Sequence, residues 1–136
     1  MHMPKPVLHI LSALALTVQH VPAMDRFEAL SQIETRNNDR AIGRYREVSR
    51  YQILPAFWAQ AMAINPTNNF RPTDPTAAKS VVDWIMQPRC RAFQARYHRP
   101  PTDFEYYVLW NAPAQVQKPA RVVAERARRF CNLVDP

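Results

Sequence analysis

The stretch Ala120–Val134, ARVVAERARRFCNLV, most strongly decides the fold of this chain. Its apolar side chains follow the i, i+3, i+4, i+7 pattern, at positions 120, 123, 124, 127, 130, 131 and 134. This spacing places them along one face of an α-helix, while Arg and Glu occupy the opposite face. The stretch therefore predicts an amphipathic helix, beginning near Pro119, that packs against a hydrophobic core.

A second helix is predicted from capping residues in the first third of the chain. Asp25 can accept a hydrogen bond from the backbone of the first helical turn, and Glu28 stands three residues later, as in a capping box. The apolar residues Phe27, Leu30 and Ile33 occur at a spacing of three. Together these residues predict a helix whose apolar face packs on the core.

Three more helices are predicted, at residues 55–63, 76–97 and 102–111, the last beginning at Thr102 or Asp103. Pro88 is expected to kink or divide the second of these, because proline lacks the backbone N–H and clashes with the preceding turn. The segments 35–50 and 65–75 are rich in polar and turn residues and are expected to be loops. No segment shows the sustained alternation of a strand, so the predicted fold is mainly α.

Composition limits the kinds of protein that this chain can be. Its 136 residues suffice for one domain. The sequence contains 1 Gly and 13 Pro, which excludes glycine-rich phosphate loops and dinucleotide-binding fingerprints. The formal net charge is +7, from 18 Lys and Arg against 11 Asp and Glu. Such a positive charge favours polyanionic partners.

Residues 1–23 are predicted to be a cleaved secretory signal. Within them, Val7–Val18 is mostly apolar but shorter than the about 18 to 20 residues that a membrane span needs. Val21 and Ala23 supply the small residues of a signal-peptidase site. We therefore expect export to the periplasm or the exterior, leaving one domain of residues 24–136. The alternative is an amphipathic or buried N-terminal helix.

Cys90 and Cys131 are the only cysteines in the sequence. An oxidising compartment would let them form a disulfide, and the alternative is two buried thiols that act as small apolar side chains. The sequence does not decide between these two states. Beyond residue 23, His98 is the only histidine, so the chain lacks a matched set of metal ligands. Neither a metal nor another cofactor is expected.

Glu34 is the acidic residue whose position is most informative. It follows Ile33 and lies four residues after Leu30, so it borders the apolar face of the predicted helix. A carboxyl group there loses part of its hydration, which raises its pKa and favours the protonated acid. A protonated carboxyl is what a general acid toward a glycosidic oxygen requires. The alternative is a solvated Glu34 paired with Arg36 or Arg40.

Three short blocks of sequence carry a resemblance to a known family. They are Ile33–Thr35, Ser49–Pro55 and Leu109–Ala112, with a separation of 18 residues between Glu34 and Gln52. In order and spacing they resemble the three signatures of the soluble lytic transglycosylase (SLT) domain. This resemblance implies a small, lysozyme-like helical fold. It also implies cleavage of peptidoglycan between N-acetylmuramic acid and N-acetylglucosamine, with a 1,6-anhydro product.

The resemblance also implies roles for individual residues. Glu34 would be the one catalytic residue, acting first as acid and then as base. Gln52 and Asn111 would donate or accept hydrogen bonds at the sugar or its N-acetyl group. The other expected substrate-binding residues are Thr35, Tyr51, Tyr107 and Trp110.

The sequence departs from the family at several motif positions. The family's glycines are replaced by Arg36, Ser49 and Pro113. Trp110 stands where the family has a tyrosine that helps to position the Glu, and Tyr106 and Tyr107 are the two candidates to replace this phenol. These changes leave open a second interpretation, a peptidoglycan-binding protein that no longer cleaves.

Peptidoglycan glycan strands are the expected partner, bound by a monomer. Arginines cluster at positions 36, 40, 44, 46 and 50 and at positions 121, 126, 128 and 129, which favours additional binding of anionic cell-wall polymers. A basic exported binder of polyanions or nucleic acid is a further alternative, but nucleic acid is not expected because the chain has no nucleic-acid-binding motif. Hydrolysis by water, with Asp39 as a second carboxylate, is the remaining alternative chemistry.

Overall fold

The computed structural model describes residues 22–64 and 70–136, and these form a mainly helical domain. Its α-helices are α1 (Arg26–Thr35), α2 (Pro55–Ile64), α3 (Pro75–Tyr97), α4 (Asp103–Asn111) and α5 (Arg121–Val134). A single 3-10 turn, Pro113–Gln115, lies between α4 and α5. The predicted mainly α fold is confirmed. The predicted secretory signal lies outside the described residues except at its last two positions, and part of the predicted loop at 65–75 also lies outside them.

Capping residues set the beginnings of α1 and α4. An Asp25 carboxylate oxygen accepts a hydrogen bond from the Glu28 backbone N–H at 2.9 Å, and the Glu28 side chain completes the predicted capping box. At the start of α4, Thr102 is the N-cap, and Glu105 forms a second capping box with it. These caps satisfy backbone N–H groups that have no partner inside the helix.

The helix α3 runs through Pro88 without interruption, so the expected division does not occur. Proline at this position removes one backbone hydrogen bond and typically costs about 3 kcal/mol or more. Burial on both sides of Pro88 offsets that cost, because Ile85, Met86 and Phe93 all lie in the core. Tertiary packing therefore outweighs the local effect of proline.

Both α1 and α4 pack against the helix α5. Its buried residues are Val123, Ala124, Ala127 and Phe130, as the apolar pattern predicts. The Phe130 ring lies between two aromatic neighbours on α4, with ring centroids 6.1 Å from Tyr106 and 5.6 Å from Tyr107. This contact fixes the direction in which α4 presents its side chains.

The loop 36–54 connects α1 to α2 and folds back on itself. Val48 and Ile53 exchange two backbone hydrogen bonds, of 2.8 and 2.9 Å, and Val48 also forms an isolated antiparallel bridge with Ile42. A tight turn is closed by the Gly43 N–H, which donates to the Glu47 carbonyl at 2.9 Å. The loop is therefore irregular, as expected, but it has a defined path.

Both cysteines have free thiols in the structure, so the disulfide alternative is not formed. Cys90 and Cys131 are each partly buried. Burial raises the pKa of both thiols, which favours the protonated form of each. They therefore act as small, partly buried side chains at the edge of the core.

Candidate active site

Glu34 lies in the last turn of α1, where its carboxyl group is only partly accessible to water. The Tyr107 hydroxyl donates a hydrogen bond to Glu34 Oε1 at 2.8 Å. Burial raises the pKa of Glu34, and the charge of Glu47 adds to this effect. The hydrogen bond from Tyr107 and the charge of Arg126 act in the opposite direction, but burial dominates. The carboxyl group thus keeps its proton to a higher pH than a solvated glutamate does.

Tyr107 and Tyr106 are consecutive, and the structure assigns them different roles. Tyr107 is fully buried, and its hydroxyl reaches Glu34. The Tyr106 ring instead lies against the Arg26 guanidinium, whose central carbon is 4.6 Å from the ring centroid. Consecutive residues on a helix point in directions about 100° apart, so only the packing of α4 on α5 selects which phenol faces Glu34.

A cleft of about 710 Å³ opens beside Glu34. Three of the expected substrate-binding residues line it with Glu34, namely Gln52, Trp110 and Asn111. They come from the loop 36–54 and from the end of α4, which are far apart in the sequence. The structure therefore brings together a carboxyl group, two amides and an indole in one cavity, whose volume is typical of small-molecule and cofactor sites.

Thr35 and Tyr51 are not among the residues that line this cleft. The Thr35 hydroxyl donates to the Arg50 carbonyl at 2.8 Å and accepts from the Asn38 N–H at 3.1 Å. Tyr51 is only 3% exposed and lies in the core. Both residues hold the loop 36–54 against the helices, so the structure gives them a supporting position rather than the expected place along the substrate.

The expected second carboxylate, Asp39, is also turned away from the cleft. The Arg50 guanidinium binds it with two hydrogen bonds of 2.6 and 2.9 Å. The hydrogen bond from Arg50 lowers the pKa of Asp39. Asp39 therefore stabilises the loop as part of an ion pair and does not line the cleft.

Several residues that line the cleft were not predicted as site residues from the sequence: Tyr45, Glu47, Leu54, Phe57, Arg89 and Arg126. Tyr45 and Glu47 belong to a loop without periodicity, where no sequence signal indicates which side chains turn inward. Tyr45 is 69% exposed, so it offers an aromatic face to solvent at the edge of the cleft. Exposed aromatic rings beside a cavity are suited to stacking on a ligand.

Arg89, on α3, lines the cleft and contacts both α2 and α4. One of its guanidinium nitrogens donates to the Leu109 carbonyl at 2.7 Å and to the Trp110 carbonyl at 2.9 Å. The guanidinium also lies 5.4 Å from the centroid of the Phe57 ring on α2. Burial lowers the pKa of Arg89. Because these carbonyls have no partner inside α4, Arg89 closes the end of that helix and holds Trp110 in place.

Gly43 lies against the side-chain tips of two cleft residues. A Cβ atom at this position would lie 2.3 Å from Gln52 Oε1 and 2.3 Å from Glu47 Oε2. Such distances are far below van der Waals contact, so any larger residue would displace one or both side chains. The one glycine of the chain thus makes room for an amide and a carboxylate in the wall of the cleft.

Two of the positions where the sequence has lost a motif glycine keep the backbone conformation that glycine favours. Arg36 has φ 57° and Ser49 has φ 71°, both in the left-handed region. A residue with a side chain costs roughly 1–2 kcal/mol in this region. The turns at Arg36 and Ser49, both within the loop 36–54, are therefore built without glycine, at a cost in stability.

Within residues 22–64 and 70–136, no three His, Cys, Asp or Glu side chains lie close enough together to hold a metal ion. No helix in these two ranges combines the length and the apolar composition needed to cross a bilayer. Comparisons of the chain with models of protein families, with curated proteins and with solved structures find no match.

Proposed function

We propose that this protein is an exported, lysozyme-like peptidoglycan lytic transglycosylase that acts as a monomer on glycan strands. The observation that carries the proposal is the environment of Glu34, a partly buried carboxyl group held by the Tyr107 hydroxyl beside a sugar-sized cleft. The raised pKa of Glu34 supports its role as a general acid. The amides of Gln52 and Asn111 in the same cleft support binding of an N-acetylated sugar.

The proposed reaction uses Glu34 twice. Protonated Glu34 donates its proton to the oxygen between N-acetylmuramic acid and N-acetylglucosamine, and the electrons of the broken bond remain on that oxygen. The C6 hydroxyl of the muramic acid residue then attacks the anomeric carbon, and the Glu34 carboxylate takes the hydroxyl proton. A 1,6-anhydro ring forms and Glu34 is again protonated. One carboxyl group suffices because the N-acetyl group of the substrate can assist, as in other substrate-assisted glycosidases.

Charge in the cleft suits a substrate with acidic groups. Arg126 lies in the cleft wall near Glu34, and no ion pair within the described part of the chain involves it. Its guanidinium can attract the carboxylates of peptidoglycan stem peptides or other anionic wall polymers. Burial outweighs the charge of Arg126, so the pKa of Glu34 is raised although this cation acts to lower it.

Purified peptidoglycan tests the proposal directly. The wild-type protein should release 1,6-anhydromuropeptides, and Glu34→Gln should reduce their release by about 10²- to 10⁴-fold, the usual contribution of a general acid or base. Glu125→Gln is the matched control, because it removes the same charge from the exposed surface of α5. Full activity of Glu34→Gln would contradict the proposal.

A second candidate is a peptidoglycan-binding protein without cleavage activity. The strained backbone at Arg36 and Ser49 favours it, because these side chains replace glycine in the turns that carry Glu34 and Gln52 toward the cleft. This candidate predicts that the wild-type protein sediments with intact peptidoglycan and releases no soluble product. Loss of sedimentation in Trp110→Ala would then place the binding surface in the cleft.

A further inference from the structure

Glu47 is an acidic residue in a strongly basic loop, yet it forms no ion pair within the described residues. The loop 36–54 contains Arg36, Arg40, Arg44, Arg46 and Arg50. Of the loop's two carboxylates, Asp39 is bound by Arg50, whereas Glu47 pairs with none of these cations. Its one side-chain hydrogen bond in this part of the chain comes from the Tyr45 backbone N–H, which donates to Oε2 at 2.7 Å. Oε1 is left for a ligand.

The fold directs the Glu47 side chain into the cleft, where it forms no ion pair with the arginines of its own loop. Glu47 lines the same cavity as Glu34. The tip of this side chain lies against Gly43, so it would have to move if residue 43 carried a Cβ atom. A tight turn from Gly43 to Glu47 and the hydrogen bond from Tyr45 fix this arrangement.

The two carboxyl groups of the cleft have different surroundings. Glu34 is partly buried and bound by a phenol, which suits it to hold and donate a proton. Glu47 lies on the loop 36–54, lines the same cavity and accepts a backbone hydrogen bond at Oε2 alone among the described residues. An acid held by a phenol and a second carboxyl group with one oxygen free of hydrogen bonds are the two groups that hydrolysis by water uses. Ring closure by Glu34 alone leaves Glu47 without a role.

We propose that Glu47 is a catalytic general base that activates a water molecule, so that the cleft also hydrolyses the glycosidic bond. This inference rests on the proposed function, because it uses the same bond and the same acid. Glu34 donates its proton to the glycosidic oxygen, which keeps the electrons of the broken bond. The water oxygen bonds to the anomeric carbon, and its proton passes to the Glu47 carboxylate. Exchange with solvent then reprotonates Glu34 and deprotonates Glu47.

The products distinguish the two reactions, because ring closure gives 1,6-anhydromuropeptides and hydrolysis gives reducing-end muropeptides. Digestion of purified peptidoglycan in ¹⁸O-labelled water, followed by mass spectrometry, measures both. We expect the wild-type protein to give both products, with ¹⁸O only in the reducing-end product. Glu47→Gln should lower the ratio of reducing-end to anhydro product by about 10²- to 10⁴-fold.

The variant Glu47→Gln is nearly isosteric and keeps an oxygen that can accept the Tyr45 N–H, so its fold can be checked by an unchanged melting temperature. Glu125→Gln serves again as the exposed charge control. Added formate should partly restore the reducing-end product in Glu47→Ala, because a small carboxylate can occupy the vacated place. A merely structural role for Glu47 would give no such rescue.

The outcomes separate this inference from the proposed function. Anhydro product alone from the wild-type protein, or an unchanged product ratio in Glu47→Gln, overturns the role of Glu47 and leaves the transglycosylase intact. Reducing-end product alone, lost in Glu47→Gln, supports Glu47 and removes ring closure. Release of neither product by the wild-type protein overturns the proposed function and the hydrolytic reaction together.

Discussion

The pKa of a glutamate is shifted in opposite directions at the start of α4 and in the cleft. At the start of α4, two guanidinium nitrogens of Arg99 each lie 2.7 Å from a Glu105 oxygen, and Thr102 adds further hydrogen bonds. The hydrogen bonds from Arg99 lower the pKa of Glu105 to about 2. In the cleft, Glu34 has a neutral phenol as its hydrogen-bond partner, and burial raises its pKa.

The difference shows how one residue type serves stability in one place and chemistry in another. A guanidinium stabilises the charged carboxylate, whereas the Tyr107 phenol only partly replaces the water that Glu34 loses. Glu105 therefore stays ionised and caps a helix. Glu34 holds a proton that it can donate, and burying this carboxyl group costs folding free energy.

The largest expected effect is the dependence of glycan cleavage on pH. Because cleavage needs protonated Glu34, the rate should fall about tenfold for each pH unit above the raised pKa of Glu34. The groups that set this pKa besides burial are Tyr107 and Arg126, which lower it, and Glu47, which raises it. Initial rates measured between pH 4 and 9 would check the profile. A rate that rises steadily with pH would contradict the assignment of Glu34 as the acid.

The same shift predicts the effect of Glu34 on stability. A group whose pKa is raised in the folded protein stabilises the fold at low pH, and this stabilisation is lost as the pH rises through the folded pKa. Glu34→Gln should therefore be more stable than the wild-type protein at pH 8, with a smaller difference at pH 4. Urea unfolding at the two pH values measures this.

The next effect concerns the phenol that holds Glu34. Tyr107→Phe should reduce cleavage by about 10- to 100-fold, because it removes a hydrogen bond to a titratable group at the reacting centre. Tyr106→Phe is the matched control, since its ring packs on Phe130 without contacting Glu34. Equal rates for the two variants would show that the hydrogen bond has no part in positioning Glu34.

Loss of the guanidinium that closes α4 should have an intermediate effect. In Arg89→Met, the carbonyls of Leu109 and Trp110 lose their partner, so we expect the unfolding free energy to fall by about 1–3 kcal/mol. Cleavage should fall as well, because Trp110 and Asn111 become less well held. Arg91→Met, at an exposed position on the same helix, should change neither quantity. Chemical denaturation provides the comparison.

At the opposite end of α4, Glu105→Gln should lower stability by about 1 kcal/mol at pH 7, the typical size of a capping interaction. The lowered pKa of Glu105 means that its contribution is present above about pH 4.5 and is lost as the pH falls toward about 2. The difference in melting temperature between variant and wild type should shrink over that range. The rate of cleavage should stay unchanged. A large loss of activity would show that the cap of α4 also affects the cleft.

The smallest expected effect is at the edge of the cleft. Tyr45→Ala should raise the KM for glycan fragments by about two- to fivefold, because a single exposed aromatic contact is worth about 0.5–1 kcal/mol. Ile42→Ala is the control, since Ile42 is 70% exposed on the same loop but does not line the cleft. A KM that changes equally in both variants would indicate a general effect on the loop.

Local patterns account for the parts of the fold that were predicted correctly. The caps at Asp25 and Thr102 act within one turn of helix, so their residues can be identified from sequence alone. Pro88 was predicted to kink or divide α3, and the division does not occur, because burial of residues on both sides outweighs a local penalty. Whether Cys90 and Cys131 pair was likewise undecided by the sequence, since pairing depends on tertiary distance.

Some residues of the cleft could be predicted from the sequence, and others could not. Glu34, Gln52 and Asn111 stand in short blocks with a definite order and spacing, and the structure brings all three to one cavity. Glu47 and Arg89 carry no such signal. Glu47 lies in an aperiodic loop, and Arg89 follows the proline inside α3. In both places only the folded chain shows what the side chain contacts.

By itself, the sequence determined the helices, their caps and an acid at the edge of an apolar face, because these follow from periodicity and from contacts between near neighbours. The tertiary structure decided which phenol reaches Glu34, which carboxylate faces the cleft and which is held by Arg50. Those choices depend on the angle at which α4 packs on α5 and on the path of the loop 36–54. Neither is set by local sequence, because each results from burying surfaces that are distant along the chain.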